Sequence, residues 1–439
     1  MRIQRLGALS TEERKTILER SDQGTNAIAP TVREIMDDVR LHGDEALRRL
    51  TERFDRATLT EIAVSDAEFE AAYEAVDDEL VEALHHAARN LKTFHLSQCV
   101  DEPMVTVEEG VRVGRVARPV EIVGIYIPGG KYPYSSSVLM NGVSSRIAGC
   151  AQRIICVPPD REGRVAPAIL VAADLVEIRN VFKVGGAQAI AAMAYGTDTV
   201  PKVDKIFGAG NAYVTAAKML AFGEVDIDMP AGPTEILIIA DETANPRFIA
   251  ADILSQAEHG ETSPCILVTT SGVLAEAVVQ EIERQIADLP TLSVAEAALK
   301  EHGAILLADQ LEECIAFANR YAPEHLQIMS ADNWGVLDLI SHAGSVFLGS
   351  YAAQSAGDYA TGGNHVLPTG GYARMFSALS VDAFTRQMQV QELTREGLYK
   401  IKDTVMRMAA AEGLVAHGRA IGIRFEDDEE EMTSGSTDS

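Results

Sequence analysis

Four short stretches of this 439-residue chain gather residue types that do chemistry. Gln256 and His259 stand three apart, and Glu324 and His325 are adjacent after Pro323. Asp358 follows Gly357 and leads through Gly362 and Gly363 to Asn364 and His365, while Glu412 and His417 bracket Gly413 near the C-terminus. Histidine with carboxylate and no cysteine suits a catalytic zinc, which keeps an open position, more than a structural one. Adjacent Glu and His at a loop edge can instead supply a water-activating carboxylate and a general base. Taken singly, each histidine reads equally as a surface or internally satisfied residue. Their shared placement at loop edges beside glycines is what that reading leaves unexplained.

The elements that must position these residues follow from spacing. Asn245-Pro246 is a helix start, because Asn caps free N–H groups and Pro lacks the N–H that would go unpaired. Gly260 is the expected stop, in the left-handed conformation. Over 245–260, Ile249, Ala250, Ile253, Leu254 and Ala257 share one arc. Asp252, Ser255, Gln256 and His259 share the opposite one, and Glu258 points elsewhere. A solvated polar face is the plain reading of such an arc. Glu412 and His417 are about 140° apart on a continuous helix, so they face one ligand only if the helix through Met408 ends near Glu412. Gly413 is placed to end it, with His417 on a separate turn.

The first hundred residues read as helices, with capping boxes at Thr31–Glu34 and Ser65–Glu68 and a stop at His42-Gly43. His85, His86 and His95 fall there as helix-surface residues. Alternation across Glu109-Gly110 predicts a hairpin over 105–116. Apolar strands then alternate with helices twice: 122–127, 154–157, 181–184 and 204–207, and afterwards 235–240, 265–269, 304–307, 326–329 and 345–348. Such alternation means parallel sheets covered on both faces, here an α/β fold of two related, incomplete Rossmann-like lobes. Beyond about 380 the period is helical again. Glycine turns follow three strands of the first round, at Gly129-Gly130, Gly185-Gly186 and Gly208-Ala209-Gly210. None completes Gly-x-Gly-x-x-Gly; together, at neighbouring strand ends, they predict a pocket.

Composition bounds the rest. The chain is 47% apolar and 23% charged, with no apolar run long enough to span a bilayer and no apolar leader after Met1. A net charge of −27 argues against nucleic acid and suits a cationic ligand or a solubility need. The run Glu426–Glu431 heads an acidic tail that reads as disordered. Five scattered cysteines, never in a Cys-x-x-Cys pair, read as reduced thiols of a cytoplasmic protein.

Several stretches together resemble histidinol dehydrogenases: Gly124–Gly130, Val184–Ala189, Asp228–Pro233, Gln256–Gly260, Ala322–Leu326, Gly357–Pro368, Val390–Leu393 and Glu412–His417. The likeness runs in order from about residue 30 to 424. It implies a zinc- and NAD-dependent homodimer that oxidises L-histidinol through L-histidinal to L-histidine, ending histidine biosynthesis. By matched position it implies zinc ligands Gln256, His259, Asp358 and His417, with His325 as general base and Glu324 activating water. Thr234, Gln256, His259, His325, Asp358, His365, Glu412 and His417 would touch substrate, and Tyr126, Gln188 and Asn211 would touch NAD. Glu412 and His417 would serve the other subunit's site. The implied division is a helical segment 1–21, a zinc-bearing lobe of 22–124 with 235–377, an NAD lobe 125–234, a helical dimerisation segment 378–425 and the tail 426–439. Thr234 and Gln354 depart from the Ser and Glu that many members carry, and Gly142–Ser145 departs from a commoner proline-containing run. A related branch resembling sulfopropanediol dehydrogenase, with the same zinc set, and a non-catalytic metal-binding protein are the rival readings.

Overall fold

The computed structural model describes residues 1–20, 25–100, 102–129, 132–230 and 232–426. The expected acidic tail, apart from Glu426, and Gly130 of the first glycine turn lie outside the described residues. Internal contacts divide the chain into two units, Met1–Cys99 with Pro119–Phe384, and Val100–Arg118 with the chain from Thr385 onward.

The first unit holds two parallel sheets. One has six strands in the order Arg2–Arg5, Gly303–Leu307, Cys265–Thr269, Ile236–Ala240, His325–Met329, Ser345–Leu348. The other has five, in the order Val181–Phe182, Gln152–Cys156, Ile122–Tyr126, Lys205–Phe207, Asp226–Ile227. Central strands such as Ile236–Ala240 are buried along their whole length, the expected fate of an unbroken apolar run covered on both faces. His325 opens its strand opposite Ile236 on one side and Ser345 on the other. The Glu324-His325 pair therefore stands at the amino ends of the six-stranded sheet. The glycine turns stand at the carboxyl ends of the five-stranded one.

Long helices cover the five-stranded sheet. Thr25–Asp55 packs on Gly186–Tyr195 and Ala212–Ala221, Asp66–Ala75 on Pro167–Leu175, and Asp78–Leu96 on Ser135–Ala148. Val32, Met36, Val39 and Leu47 thereby join the core of Ile154, Ile190 and Ile206. The helices Asp66–Ala75 and Asp78–Leu96 place Phe69, Leu84 and Leu91 in a core with Ile125, Leu139 and Ile169, and also with Val366 and Leu379. The helix Thr25–Asp55 is broken by Gly43 at φ 50°, and Thr31 lies inside it rather than capping it. Ser65 and Glu68 do form the expected capping box.

Three further expectations are corrected. Arg2–Arg5, read as helical, is an edge strand, and Thr385–Leu393 is a strand within a segment read as helical. His95 is fully buried rather than on a helix surface. It faces Gln98 Oε1 at 2.9 Å and Asn364 Nδ2 at 3.4 Å.

In the second unit, the hairpin Val105–Glu108 and Val111–Pro119 turns at Gly110 and lies in a three-stranded sheet with Thr385–Leu393. The helix Arg395–Ala411 ends at Glu412, Gly413 takes φ 74°, and Val415–Gly422 forms a separate short helix bearing His417. The break falls where the spacing of Glu412 and His417 requires it. Both residues are exposed in the chain.

Candidate active site

The helix Pro246–Ala257 is capped by Asn245, whose side chain accepts from the Arg247 amide. It ends two residues before His259, whose amide donates to the Gln256 carbonyl at 3.3 Å in a tightened last turn. Gly260 is not left-handed, contrary to expectation. The polar arc proves to be buried rather than solvated: Asp252 and Gln256 are both inside. Asp252 accepts from Gln327 Nε2 at 2.7 Å, and Gln327 also donates to the Ala352 carbonyl at 3.2 Å. Gln327 lies two residues beyond His325 on its strand, so this bond ties the helix of Gln256 to the strand of His325. Glu258 turns away, accepting from the Thr291 hydroxyl at 3.1 Å.

Gln256 is fully buried and donates from Nε2 to the Thr234 hydroxyl at 2.9 Å. Its Oε1 is also buried and has no partner. An orphan carbonyl oxygen of this kind costs roughly 1–3 kcal/mol. Asp358 and His259 are electrostatic neighbours of one another and of His325. Asp358 is carried by the short helix Gln354–Tyr359, which approaches the strand Ser345–Leu348 so closely that a Cβ at Gly357 would meet the Phe347 ring at 2.6 Å. Gln354 Nε2 donates to Asp358 Oδ2 at 2.6 Å.

The geometry of His325 is set by its backbone surroundings. Its Nδ1 lies 2.9 Å from the Glu235 carbonyl, which can only accept, so the ring proton sits on Nδ1 and Nε2 carries the lone pair. Nε2 faces Gln354 Nε2 at 3.5 Å and Asp358 Oδ1 at 3.9 Å. Burial holds the imidazole below the ordinary histidine range, with Asp358 opposing. Burial likewise lowers His259 and His365. All three rings are thus held toward the neutral form. His365 gives its Nδ1 proton to the Asp358 carbonyl and accepts from the Ser137 hydroxyl at Nε2, each at 2.9 Å.

Glu324 accepts from the Glu235 amide at 2.8 Å and lies 3.6 Å from His325 Nδ1. Burial pushes its carboxyl well above the usual range, opposed by the Thr234 hydroxyl and the Glu235 amide. Among the described residues no Lys or Arg pairs with Glu324 or Asp358. A cation is what a buried and a half-buried acid without such a partner accommodate best.

Among the described residues no three His, Cys, Asp or Glu side chains gather as a metal cluster. Within the first unit the candidates are His259 and Asp358 plus the amide of Gln256, a ligand type outside those four. An unpartnered amide oxygen one helical turn from His259, whose ring has the Asp358 carboxylate as its electrostatic neighbour, fits a zinc-like cation held by nitrogen and oxygen donors.

A cleft of about 1010 Å³ is lined by Tyr126, Gln188, Asn211, Gly129 and Gly186. The Tyr126 hydroxyl accepts from the Gly186 amide at 3.1 Å, and burial raises its pKa to about 12. Asn211 caps the helix Ala212–Ala221. Gly208 holds φ 112°, where a Cβ would fall on the Tyr126 carbonyl oxygen. Its amide donates to Asp228, and Asp228 pairs with the buried Lys218. Tyr126 also lines a smaller pocket of about 100 Å³ with Gly208, Thr234, Glu324 and His365. The carboxyl ends of one sheet thereby meet the amino ends of the other.

Spacing pointed to Gln256, His259, Glu324, His325, Asp358 and His365, and these come together with Thr234. Glu412 and His417 belong to the second unit. Spacing missed Glu235, Gln327 and Arg20, and it put Asp252 on the arc of Gln256 without its burial. An acid directly ahead of the apolar run Ile236–Ala240 was the one available signal for Glu235.

Two parallel sheets whose strand ends meet at a buried Glu–His pair, with a glycine-lined cleft alongside, define a protein of the α/β enzyme class. The histidinol dehydrogenase family model matches residues 18–425. Histidinol dehydrogenase of Methanosarcina barkeri is 46% identical over 97% of this chain and 98% of its own length. That of Bacteroides fragilis is 48% identical over 94% and 96%. The crystal structure of histidinol dehydrogenase from Elizabethkingia anophelis superposes with a TM-score of 0.93 at 45% identity, covering 98% of both chains. The chain belongs to the histidinol dehydrogenase family, and it is a dehydrogenase.

Proposed function

We propose that this enzyme oxidises L-histidinol through L-histidinal to L-histidine, the closing steps of histidine biosynthesis, with zinc and two NAD per turnover. The observation that carries the reading is His325, a neutral buried imidazole whose Nδ1 proton is committed to the Glu235 carbonyl and whose Nε2 keeps its lone pair, met by the Gln354 amide at 3.5 Å. Bound zinc would supply Lewis acidity at the alcohol oxygen, and bound NAD a hydride acceptor.

Gln256, His259 and Asp358 would hold the metal, with His417 and Glu412 serving the site of the other copy in a homodimer. Exposure of both residues on either side of the break at Gly413 supports that assignment. Tyr126, Gln188 and Asn211 would contact NAD in the cleft, on the five-stranded lobe. His325 Nε2 takes the hydroxyl proton, first from the alcohol and then from the hydrate of the aldehyde. Glu324, made more basic by burial, takes a proton from the water that adds to the aldehyde. His365 and Thr234 orient the substrate.

Glu412, a carboxylate carried close to His417 in sequence, suits the amine of a cationic amino alcohol and weighs against an anionic alcohol such as sulfopropanediol. No helix among the described residues is long and apolar enough to cross a membrane, and a cytoplasmic location belongs to the same proposal. The test is NADH formed per histidinol consumed. Two supports the reading, one makes the enzyme an alcohol dehydrogenase that stops at the aldehyde, and none leaves a metal-binding protein or another substrate.

A further inference from the structure

Behind the Glu324-His325 pair lies a buried ion pair that neither the reaction nor the metal uses. Arg20, whose side chain is 7% exposed, meets Glu235, whose side chain is 1% exposed, through Nε at 2.5 Å and Nη2 at 2.7 Å. Glu235 also accepts from the Glu324 amide at 3.2 Å, the Gly370 amide at 3.1 Å and the Tyr321 hydroxyl at 3.3 Å. The main chain of the same residue holds both reacting side chains, its amide on Glu324 Oε2 and its carbonyl on His325 Nδ1. Residue 235 thus touches the pair with its amide, its carbonyl and its carboxylate.

Arg20 grips the other side of the turn that delivers the pair. The helix Leu311–Tyr321 ends at Ala322 in the left-handed region, φ 50°, a conformation strained for any residue with a Cβ. Pro323, Glu324 and His325 follow at once, so the direction of that turn decides where the pair points. Arg20 Nη2 donates to the Tyr321 carbonyl at 2.8 Å and reaches the Ala322 carbonyl at 3.5 Å. Nη1 donates to the Leu18 carbonyl at 3.0 Å, and the guanidinium lies 3.3 Å from the centre of the Tyr321 ring. With its donors committed and its surface covered, Arg20 is not an anion-binding residue. A planar fork that meets a carboxylate on two atoms while bonding carbonyls on its far edge is a task Lys cannot reproduce.

We infer that Arg20 and Glu235 are positioning residues for the Glu324-His325 pair. They hold the strained Ala322 turn against residue 235, so that the His325 ring proton stays on Nδ1 and Glu324 stays aimed into the pocket. The N-terminal segment is then a working part of the active site. The kinetic part of this inference rests on the proposed substrate, and the spectroscopic part does not.

The test compares wild type with Arg20→Met, Arg20→Lys and Glu235→Gln. Each is assayed with histidinol and with histidinal as the starting substrate, and each is labelled with ¹⁵N-histidine, the His325 signals being assigned by their loss in His325→Asn. The expected result for Arg20→Met is a loss of kcat of roughly 10- to 100-fold with KM changed less than about twofold. The loss is greater from histidinal, which needs Glu324. Arg20→Lys recovers only part of it, and the His325 proton in Arg20→Met is no longer confined to Nδ1. A lowered melting temperature with both kcat values intact and the proton still on Nδ1 overturns the inference, because the pair is then structural only. If Arg20→Met does not fold, Glu235→Gln decides, since it keeps the main-chain contacts of residue 235 and removes only the charge. Wild type inert on both substrates defeats the substrate assignment alone, and the ring-proton comparison still decides the pair.

Discussion

Gln256 gives its amide protons to the Thr234 hydroxyl at 2.9 Å and leaves its carbonyl oxygen buried without a partner. The Thr234 hydroxyl gives its own proton to Glu324 and so accepts from Gln256, which leaves the amide oxygen as the end for a cation. Replacing His259 with Asn should therefore lose both bound zinc and activity. Replacing Glu258, which is turned to Thr291, with Gln should keep the metal. Metal analysis of the two purified variants decides the matter; a zinc-free Glu258 variant beside a zinc-loaded His259 variant would refute the ligand assignment.

His325 and Glu324 divide the proton transfers differently between the two oxidations. His325→Asn should depress both, by roughly 10²–10⁴-fold, the range of a lost general base. Glu324→Gln should hurt oxidation of histidinal far more than oxidation of histidinol, because only the aldehyde needs water. Separate assays from the two substrates are the check, and equal losses would remove the assigned role of Glu324.

The break at Gly413 sets Glu412 and His417 on different helices at the exposed end of the second unit. If they serve the other copy's site, inactive His325→Asn and inactive His417→Asn proteins should regain activity when mixed, since one heterodimer site carries neither lesion. No recovery after demonstrated subunit exchange would show that each chain completes its own site.

Asp252 gives a pH-dependent prediction. Burial raises its carboxyl to about 6 from an unfolded value near 3.8, against the opposing bond from Gln327. Between those values the folded protein binds more protons than the unfolded chain, so this contribution to stability is greatest at the acid end. It is lost as pH rises through about 6. Asp252→Asn keeps an oxygen for Gln327 and removes the charge, and should stabilise the metal-free protein by up to about 3 kcal/mol near neutral pH. The gain should vanish near pH 4. Urea unfolding at the two pH values measures it, and an equal gain at both would trace the effect to something other than the charge.

Local periodicity was enough to place most of the sheet strands. Cys265–Thr269 and Ser345–Leu348 appear with the bounds their apolar runs predict, and the helix stop at Gly413 follows from two residues that must face one ligand. These features depend on neighbours a few positions away, which is the range over which backbone geometry and side-chain period act. The adjacency of Glu324 and His325 and the three-residue step from Gln256 to His259 belong to the same range. The tertiary structure decided what those residues face. Arg20 meets Glu235 across 215 positions, and Gln327 meets Asp252 across 75. No local pattern marks either pair, because a polar residue bound for solvent and one bound for a buried partner look alike in one dimension. The same blindness put His95 and the arc of Asp252 and Gln256 on the surface. It also hid the edge strand Arg2–Arg5, in which Ile3 is the one apolar residue and which is a strand because Gly303–Leu307 offers it an edge. Most elements were a local matter, whereas the orphan oxygen of Gln256 and the Nδ1–H tautomer of His325 exist only because distant segments close around them.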